Sequence, residues 1–257
     1  MPNWISVNEA RDTSGLRLVL LRRLPSPWGQ AARCMFDVKG IAFQAVERSR
    51  GDPPGALLDW TRQNSFPAAM YNDERARTGW EEILWLAERL APTPSLVPQD
   101  LQERVRMFGL ARELMGEMGL IWCFRLFAMP DRVDIKLPHN DCGRGEFAEK
   151  YHSDGTTAAQ AKARAIEVLS LIDDQMATQE KRGLDTLIGD ALSAADIYLA
   201  TALNVLAPLS DDKLPLSERA RPIFTATDAD IVTALTPRIL ALRDRIYDRH
   251  LTLPVEL

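Results

Sequence analysis

The chain has 257 residues, of which 46% are hydrophobic and 26% charged, so it is long and apolar enough for one large globular domain or two modest ones. Its net charge of −5 argues against the clustered positive surface that nucleic-acid-binding proteins and polybasic membrane-binding proteins need.

No segment predicts a membrane span, because the longest near-apolar run, around Met118 to Met129, carries Arg125 and is too short. The polar N-terminus lacks an apolar stretch leading to a small-residue cleavage site, so no signal peptide is predicted. The cysteines Cys34, Cys123 and Cys142 are odd in number and lack metal-ligand spacing, which is typical of free thiols. We therefore expect a cytoplasmic protein that does not bind membranes or nucleic acid.

Residues 16–90 alternate between strand and helix patterns. The apolar run at 16–21 predicts a buried strand, and a Pro-Ser-Pro turn separates it from a helix that ends near Gly40. Later patterns predict a strand at 41–47, a short helix at 56–62, a strand at 66–71 and an amphipathic helix at 80–90. The order β-α-β-α-β, with room for one more strand, predicts a small α/β layered fold in a first domain, residues 1–90, with a polar arm at 1–15.

Residues 91–100, APTPSLVPQD, predict an extended linker, because three prolines within seven residues cannot continue a helix. The patterns beyond it predict an all-helical second domain, residues 101–257. Its expected helices are at 100–127, 156–179, 193–206 and 228–249. The polar, turn-rich residues 130–155 predict an exposed excursion between helices.

Three segments of the chain carry a family resemblance. They are LPSPWGQAAR around Ser26, the pair Phe66-Pro67, and GDALSAADIYLA at 189–200, of which the last is the most specific. Together they resemble the corresponding segments of cytosolic glutathione transferases of the serine type. The resemblance covers nearly all of the chain beyond the first fifteen residues. It implies a thioredoxin-like α/β domain followed by an all-helical domain, with glutathione as co-substrate and a homodimeric assembly.

Ser26 stands where a strand gives way to a helix, so it is a candidate N-cap with Pro27 in the first helical position. A helix N-terminus carries unpaired N–H groups and partial positive charge, which stabilise an anion. The resemblance implies that Ser26 is catalytic and donates a hydrogen bond to the thiolate of glutathione.

The interaction energies available at such a site suffice to ionise the thiol of glutathione at neutral pH. Lowering a thiol pKa by roughly two units requires about 2.7 kcal/mol. A charge-assisted hydrogen bond of about 1.5–3 kcal/mol and a helix dipole of about 0.3–1 kcal/mol cover this requirement. A serine hydrolase is excluded because the turn lacks G-x-S-x-G.

Phe66-Pro67 is the second candidate site. An ordinary trans proline at a strand start and a cis proline fit the residues equally well, and the resemblance implies cis. A cis bond would turn the N–H and C=O of Phe66 outward, where they can pair with the backbone of a peptide ligand.

Ser193 and Asp196 predict an N-cap and capping box at the start of a helix that is apolar nearly all round. We assign this pair a role in folding rather than in chemistry.

The sequence departs from the resemblance at the start of the predicted helix 80–90, where such transferases commonly carry a Glu/Gln-Ser pair that holds the γ-glutamyl end of glutathione. Here Thr78 takes the place of the serine and forms a predicted capping box with Glu81. The residue before it is Arg77, which can hold a carboxylate but not an ammonium group. Either Glu74 or Asp73 supplies the missing charge, or the site is altered, or glutathione binds poorly.

We therefore expect glutathione to be held by Trp28, Phe66, Pro67, Arg77 and Thr78, although Arg77 fits a solvated loop residue equally well. A second-substrate pocket is expected between the domains. Its expected lining is Phe108, Arg112, Met115 and Trp122, with Trp28 opposite, and Arg112 would orient an anionic substrate. Nothing in the sequence predicts a metal site.

The predicted activity is that of a glutathione transferase, in which the thiolate attacks a small, mostly apolar electrophile. The alternative is a catalytically silent member of the same fold that serves as a binding or scaffolding module, which Arg77 favours. Thiol-disulfide exchange is weaker, because serine stands where that reaction needs cysteine.

Overall fold

The computed structural model describes residues 3–47, 55–63, 65–128, 151 and 155–257. The first part of the chain is a four-stranded sheet with helices on both faces. Its strands are β1 (Ile5–Ser6), β2 (Leu16–Leu20), β3 (Gln44–Glu47) and β4 (Ala68–Tyr71), and its helices are α1 (Val7–Arg11), α2 (Pro27–Val38), α3 (Ala56–Thr61) and α4 (Trp80–Leu90). The strand order is β1-β3-β2-β4, with β1 and β2 parallel to β3 and with β4 antiparallel to β2. The thioredoxin-like α/β prediction is confirmed.

The N-terminal residues are part of this sheet, so the prediction of a mere polar arm at 1–15 is wrong. Ile5 and Ser6 pair with β3, so β1 is an edge strand of the sheet. Helix α1 follows at once and buries Val7 and Ala10 completely. Two residues are too few to make a recognisable strand pattern, which is why the sequence did not indicate this strand.

The two faces of β2 enter different cores, because successive side chains of a strand point to opposite sides. Leu16, Leu18 and Leu20 pack with residues of α2 and α4. Val19 packs on the other face with residues of α1 and α3. Arg17 also lies off the α2 face, where its guanidinium carbon is 5.5 Å from the ring centroid of Trp60.

The rest of the described chain is helical, as predicted. The helices are α5 (Leu101–Met115), α6 (Leu120–Ala128), α7 (Ala158–Lys181), α8 (Ala194–Leu203), α9 (Ala229–Ala234) and α10 (Pro237–His250), with a 3-10 turn at Arg221–Phe224. All ten residues of α8 are buried, so this helix is the centre of the second core. Of the predicted excursion 130–155, only Tyr151 and Gly155 belong to the described residues, and Tyr151 is buried.

The single helix predicted at 100–127 is wrong, because the chain breaks between α5 and α6. Gly116 caps the C-terminus of α5, and a Cβ on it would lie 2.7 Å from the Arg112 carbonyl oxygen. A Cβ on Gly119 would lie 2.6 Å from the Glu113 carbonyl oxygen. The two glycines therefore permit a tight turn that apolar periodicity alone does not reveal.

The single helix predicted at 228–249 is also wrong, because α9 ends before Leu235 and α10 begins at Pro237. Thr236 caps α10 by accepting a hydrogen bond from the backbone N–H of Ile239 at 3.3 Å. A threonine followed by proline is a helix-start signal, and it outweighs the continuous apolar pattern across this position.

Residues 91–100 connect α4 to α5 and lie against the second core. Leu96 and Val97 are buried in it. The Leu96 carbonyl accepts a hydrogen bond from the backbone N–H of Ala194 at the start of α8, at 2.8 Å. The connection is therefore docked on both parts of the protein, and it fixes α4 relative to α8.

Candidate functional site

The N-terminus of α2 is the first part of the site. Ser26 is the N-cap residue and Pro27 is the first helical residue, as predicted. The Ser26 hydroxyl, however, makes no capping hydrogen bond to any residue that the structure describes. A Cβ on Gly29 would lie 3.2 Å from the Leu20 side chain and 3.6 Å from the Ser26 hydroxyl oxygen, so the first turn of α2 packs closely against the end of β2. The hydroxyl is therefore not committed to the helix and is available to a ligand.

The peptide bond between Phe66 and Pro67 is cis, as the resemblance implied. Pro67 directly precedes β4, and within the described part the backbone of Phe66 makes no hydrogen bond to another backbone group. Its N–H and C=O are thus available to pair with an extended peptide.

A cavity of about 500 Å³ lies where the starts of α2 and α4 meet the end of α5. It is lined by Trp28, Gln63, Ser65, Phe66, Pro67, Thr78, Gly79, Trp80, Glu81, Arg112, Met115, Gly116, Glu117, Trp122 and Tyr151. Five of these side chains are aromatic, and the two carboxylates and one guanidinium add charge. A concave site that combines several aromatic side chains with a few charged groups is typical of a small-molecule pocket.

Most of the residues predicted for the site line this cavity. Those that do are Trp28, Phe66, Pro67, Thr78, Arg112, Met115 and Trp122. Among the described residues, Ser26, Arg77 and Phe108 do not line it, although Ser26 is only two residues from Trp28. Phe108 instead stacks on Trp85, with ring centroids 5.7 Å apart, and the expectation that it lines the pocket is wrong.

The predicted capping box of Thr78 and Glu81 is wrong. Helix α4 starts one residue later than that box requires, with Gly79 as N-cap, and the Glu82 carboxylate accepts hydrogen bonds from the N–H groups of Thr78 at 3.1 Å and Gly79 at 3.4 Å. The Thr78 N–H is therefore already engaged, and only its hydroxyl is left for a ligand carboxylate.

The acids expected to compensate for Arg77 are not at the cavity. Glu74 pairs with Arg77 at 3.1 Å and with Arg89 at 2.6 Å. Glu81 lies instead in the first turn of α4 and lines the cavity, and it forms no hydrogen bond or ion pair with any residue in the described ranges. The pattern Thr78-x-x-Glu81 predicted a cap, so Glu81 was not expected at the cavity, and neither were Gln63, Ser65, Trp80 and Glu117, which also line it.

Ser193 and Asp196 support the site from a distance. The Asp196 carboxylate accepts hydrogen bonds from the Ser193 N–H at 2.9 Å, the Ser193 hydroxyl at 2.7 Å and the Leu187 N–H at 2.6 Å. Burial raises the pKa of Asp196, and these hydrogen bonds oppose that shift. They fix the start of α8, whose Tyr198 hydroxyl donates to the Trp80 carbonyl at 2.8 Å and so holds the cavity wall.

Cys34 and Cys123 are free thiols and both are buried. Burial raises the pKa of the Cys34 thiol to about 12, which makes it a poor nucleophile. Within the described residues, no three His, Cys, Asp or Glu side chains are arranged to hold a metal ion. None of the helices in the described ranges has the length and apolar character required to cross a bilayer.

No protein-family model matches the sequence, and no curated protein matches it. Solved structures do match. A glutathione transferase family member from Pseudomonas fluorescens Pf-5, with two glutathione bound, has a TM-score of 0.60 at 15% identity, covering 95% of this chain and 94% of that one. A glutathione S-transferase from Xanthobacter autotrophicus Py2 has a TM-score of 0.58 at 17% identity, covering 94% and 98%.

A third similar structure is glutathione transferase Omega 3C from Trametes versicolor, with a TM-score of 0.56 at 17% identity, covering 95% of this chain and 89% of that one. Identities this low establish the architecture alone. The chain therefore has the fold of glutathione transferases, with a thioredoxin-like part followed by a helical part.

Proposed function

We propose that the protein is a glutathione transferase, in which Ser26 stabilises the thiolate of glutathione for attack on a small apolar electrophile. The observation that carries this proposal is the uncommitted Ser26 hydroxyl at the start of α2, beside a cavity that the cis Phe66–Pro67 bond adjoins. An anionic sulfur at a helix N-terminus gains from the unpaired N–H groups and from the hydroxyl together.

The cavity residues divide between the two substrates in this proposal. The backbone of Phe66 pairs with the backbone of glutathione, and Trp28 and the Thr78 hydroxyl lie beside the peptide. At the γ-glutamyl end of glutathione, Glu81 pairs with the α-ammonium group. It replaces the Glu or Gln that such transferases commonly carry at the position of Arg77. Met115 and Trp122 face the electrophile.

Arg112 belongs to the electrophile side of the cavity. It donates a hydrogen bond to the Glu117 carbonyl at 2.8 Å, and the other donors of its guanidinium can orient an anionic substituent.

The test is Ser26→Ala, assayed with glutathione and a generic aryl halide. We expect kcat to fall about ten- to a hundredfold, the factor for a lost hydrogen bond of about 1.5–3 kcal/mol. The pH–rate profile should also move upward, because the thiol pKa returns toward about 8.5. The exposed Ser170 on α7 provides the control, since Ser170→Ala should leave both quantities unchanged.

A second candidate is a catalytically silent module that binds a ligand in the cavity. Two observations favour it. Arg77 forms an ion pair with Glu74, so this acid is not available to the α-ammonium group of glutathione. Ser26 also lies outside the cavity lining. Retention on immobilised glutathione without Ser26-dependent turnover would support the module. If the protein shows neither retention nor turnover, the cavity binds a different ligand.

We also propose that two copies of the chain associate through α4 and α5. Three exposed apolar side chains, Trp85, Leu101 and Val105, are concentrated there, and Trp85 stacks on Phe108. Exposed apolar patches of this kind mark interaction surfaces. Val105→Glu should convert a dimer into a monomer in sedimentation equilibrium, whereas Leu171→Glu, at another exposed apolar residue, should not. A monomeric wild-type protein would refute this proposal.

A further inference from the structure

Arg125 on α6 lies between two aromatic side chains of the cavity wall. Its guanidinium carbon is 5.1 Å from the ring centroid of Trp28 and 5.4 Å from that of Tyr151. Both rings line the cavity, and Arg125 is not among the described residues that line it. The cation therefore lies behind the wall, where it attracts both rings at once.

The rings that Arg125 joins come from distant parts of the chain. Trp28 is in the first turn of α2, two residues from Ser26, and its indole N–H donates to the Met115 carbonyl at the end of α5, at 2.8 Å. Tyr151 packs edge-on against Trp122, with ring centroids 4.6 Å apart and an interplanar angle of 61°. One guanidinium thus links the thioredoxin-like part of the wall to its helical part.

We infer that Arg125 is a positioning residue that fixes the spacing of the Trp28 and Tyr151 rings and so makes the cavity selective for flat aromatic electrophiles. A flat ring gains stacking contacts only when the wall rings hold a fixed separation and tilt. A small alkyl electrophile needs no such wall, and its turnover does not depend on the spacing. The part of this inference that concerns turnover rests on the proposed transferase activity.

The kinetic test compares Arg125→Met, which keeps the length of the side chain without its charge, with Arg125→Lys, which keeps a cation. For Arg125→Met we expect the KM for an aryl halide to rise about tenfold. With glutathione saturating, the kcat/KM for iodomethane should stay within about twofold of wild type. Arg125→Lys should restore most of the aryl selectivity. A merely structural role would lower turnover of both electrophiles together.

A binding test separates this inference from the proposed activity. The probe is N-phenyl-1-naphthylamine, a neutral aromatic fluorophore titrated into each variant. Its affinity should fall about tenfold in Arg125→Met and much less in Arg125→Lys, and Arg106→Met, at an exposed residue of α5, serves as control. If wild type shows no turnover but the affinities follow this order, the transferase proposal fails and the role of Arg125 stands.

Two results would overturn the inference. One is an unchanged fluorophore affinity in Arg125→Met, and the other is an equal loss of aryl and alkyl turnover in a folded variant. If Arg125→Met does not fold, Trp28→Leu removes one of the two rings and should weaken fluorophore binding to a similar extent. Unchanged binding in that variant would be equally damaging.

Discussion

The ammonium group of Lys39 donates to the Glu88 carboxylate at 2.8 Å, and this ion pair joins the end of α2 to the end of α4. The Lys39 side chain is fully buried and also donates to the Pro94 carbonyl. Glu88 in turn accepts hydrogen bonds from the Ser95 hydroxyl and the Leu96 N–H, both at 2.9 Å. The pair therefore anchors the connection between the two parts of the protein.

Replacing Lys39 with methionine should destabilise the protein by about 3 kcal/mol, because removing one partner of a buried pair leaves an uncompensated charge. Urea denaturation measures this loss. Arg22 provides the control, since its pair with Glu47 is solvent-accessible, and Arg22→Met should change stability by less than about 1 kcal/mol. Equal losses in the two variants would contradict the anchoring role.

Elements with strong local patterns could be predicted from the sequence. The strand β2 and the helices α2 and α4 follow from a bounded apolar run, a proline at the first helical position and apolar residues at one-turn spacing. The long helices predicted at 100–127 and 228–249 failed for a common reason. Apolar periodicity continued through Gly116 and Pro237, while capping and sterics ended the helices there.

The site was less predictable than the fold, because its geometry depends on which donor binds which acceptor. Either Glu81 or Glu82 could reach back to the backbone N–H groups at the start of this helix, and only the folded backbone selects Glu82, which accepts from the N–H groups of Thr78 and Gly79. That choice releases Glu81 to the cavity. The partner of Arg125 could not be predicted at all, because Trp28 and Tyr151 are brought to it by tertiary packing.

Asp196→Asn should destabilise the protein by about 2–4 kcal/mol, because three donors converge on a carboxylate and an amide offers only one acceptor oxygen. The amide nitrogen would face an N–H group across a buried contact. Thermal and urea unfolding measure the loss, and Asp190→Asn, at an exposed residue of the same loop, is the control. A change of less than about 1 kcal/mol would show that Asp196 does not hold the start of α8.

Glu82 should make the stability of the protein pH-dependent in acid. Burial alone would raise the pKa of Glu82, but hydrogen bonds from Thr78, Arg75 and Gly79 to its ionised form leave the pKa below the ordinary 4.5. A lowered folded pKa means that the stabilisation is fully present above pH 4.5 and is lost as the pH falls through the folded value.

The measurement is the difference in unfolding free energy between wild type and Glu82→Gln across pH 3–7. We expect about 1 kcal/mol near pH 7, the size of a capping interaction, and a smaller difference at the acid end. If the free-energy difference between wild type and Glu82→Gln grew as the pH fell, the pKa of Glu82 would be raised in the folded protein, and the assignment of a lowered pKa would be wrong.

Cys34 and Cys123 should resist thiol reagents in the folded protein, because both are buried and the pKa of Cys34 is raised to about 12. In a Cys142→Ser variant, which leaves two of the three cysteines, an aromatic disulfide reagent at pH 8 should label almost no thiol natively and two after denaturation. Cys34 is on α2, the helix whose N-cap is Ser26, so rapid native labelling of Cys34, identified by peptide mapping, would mean that α2 opens locally. A helix that opens on that timescale could not hold a fixed anion site at its N-terminus, and the proposed role of Ser26 would then require ligand binding to order it first.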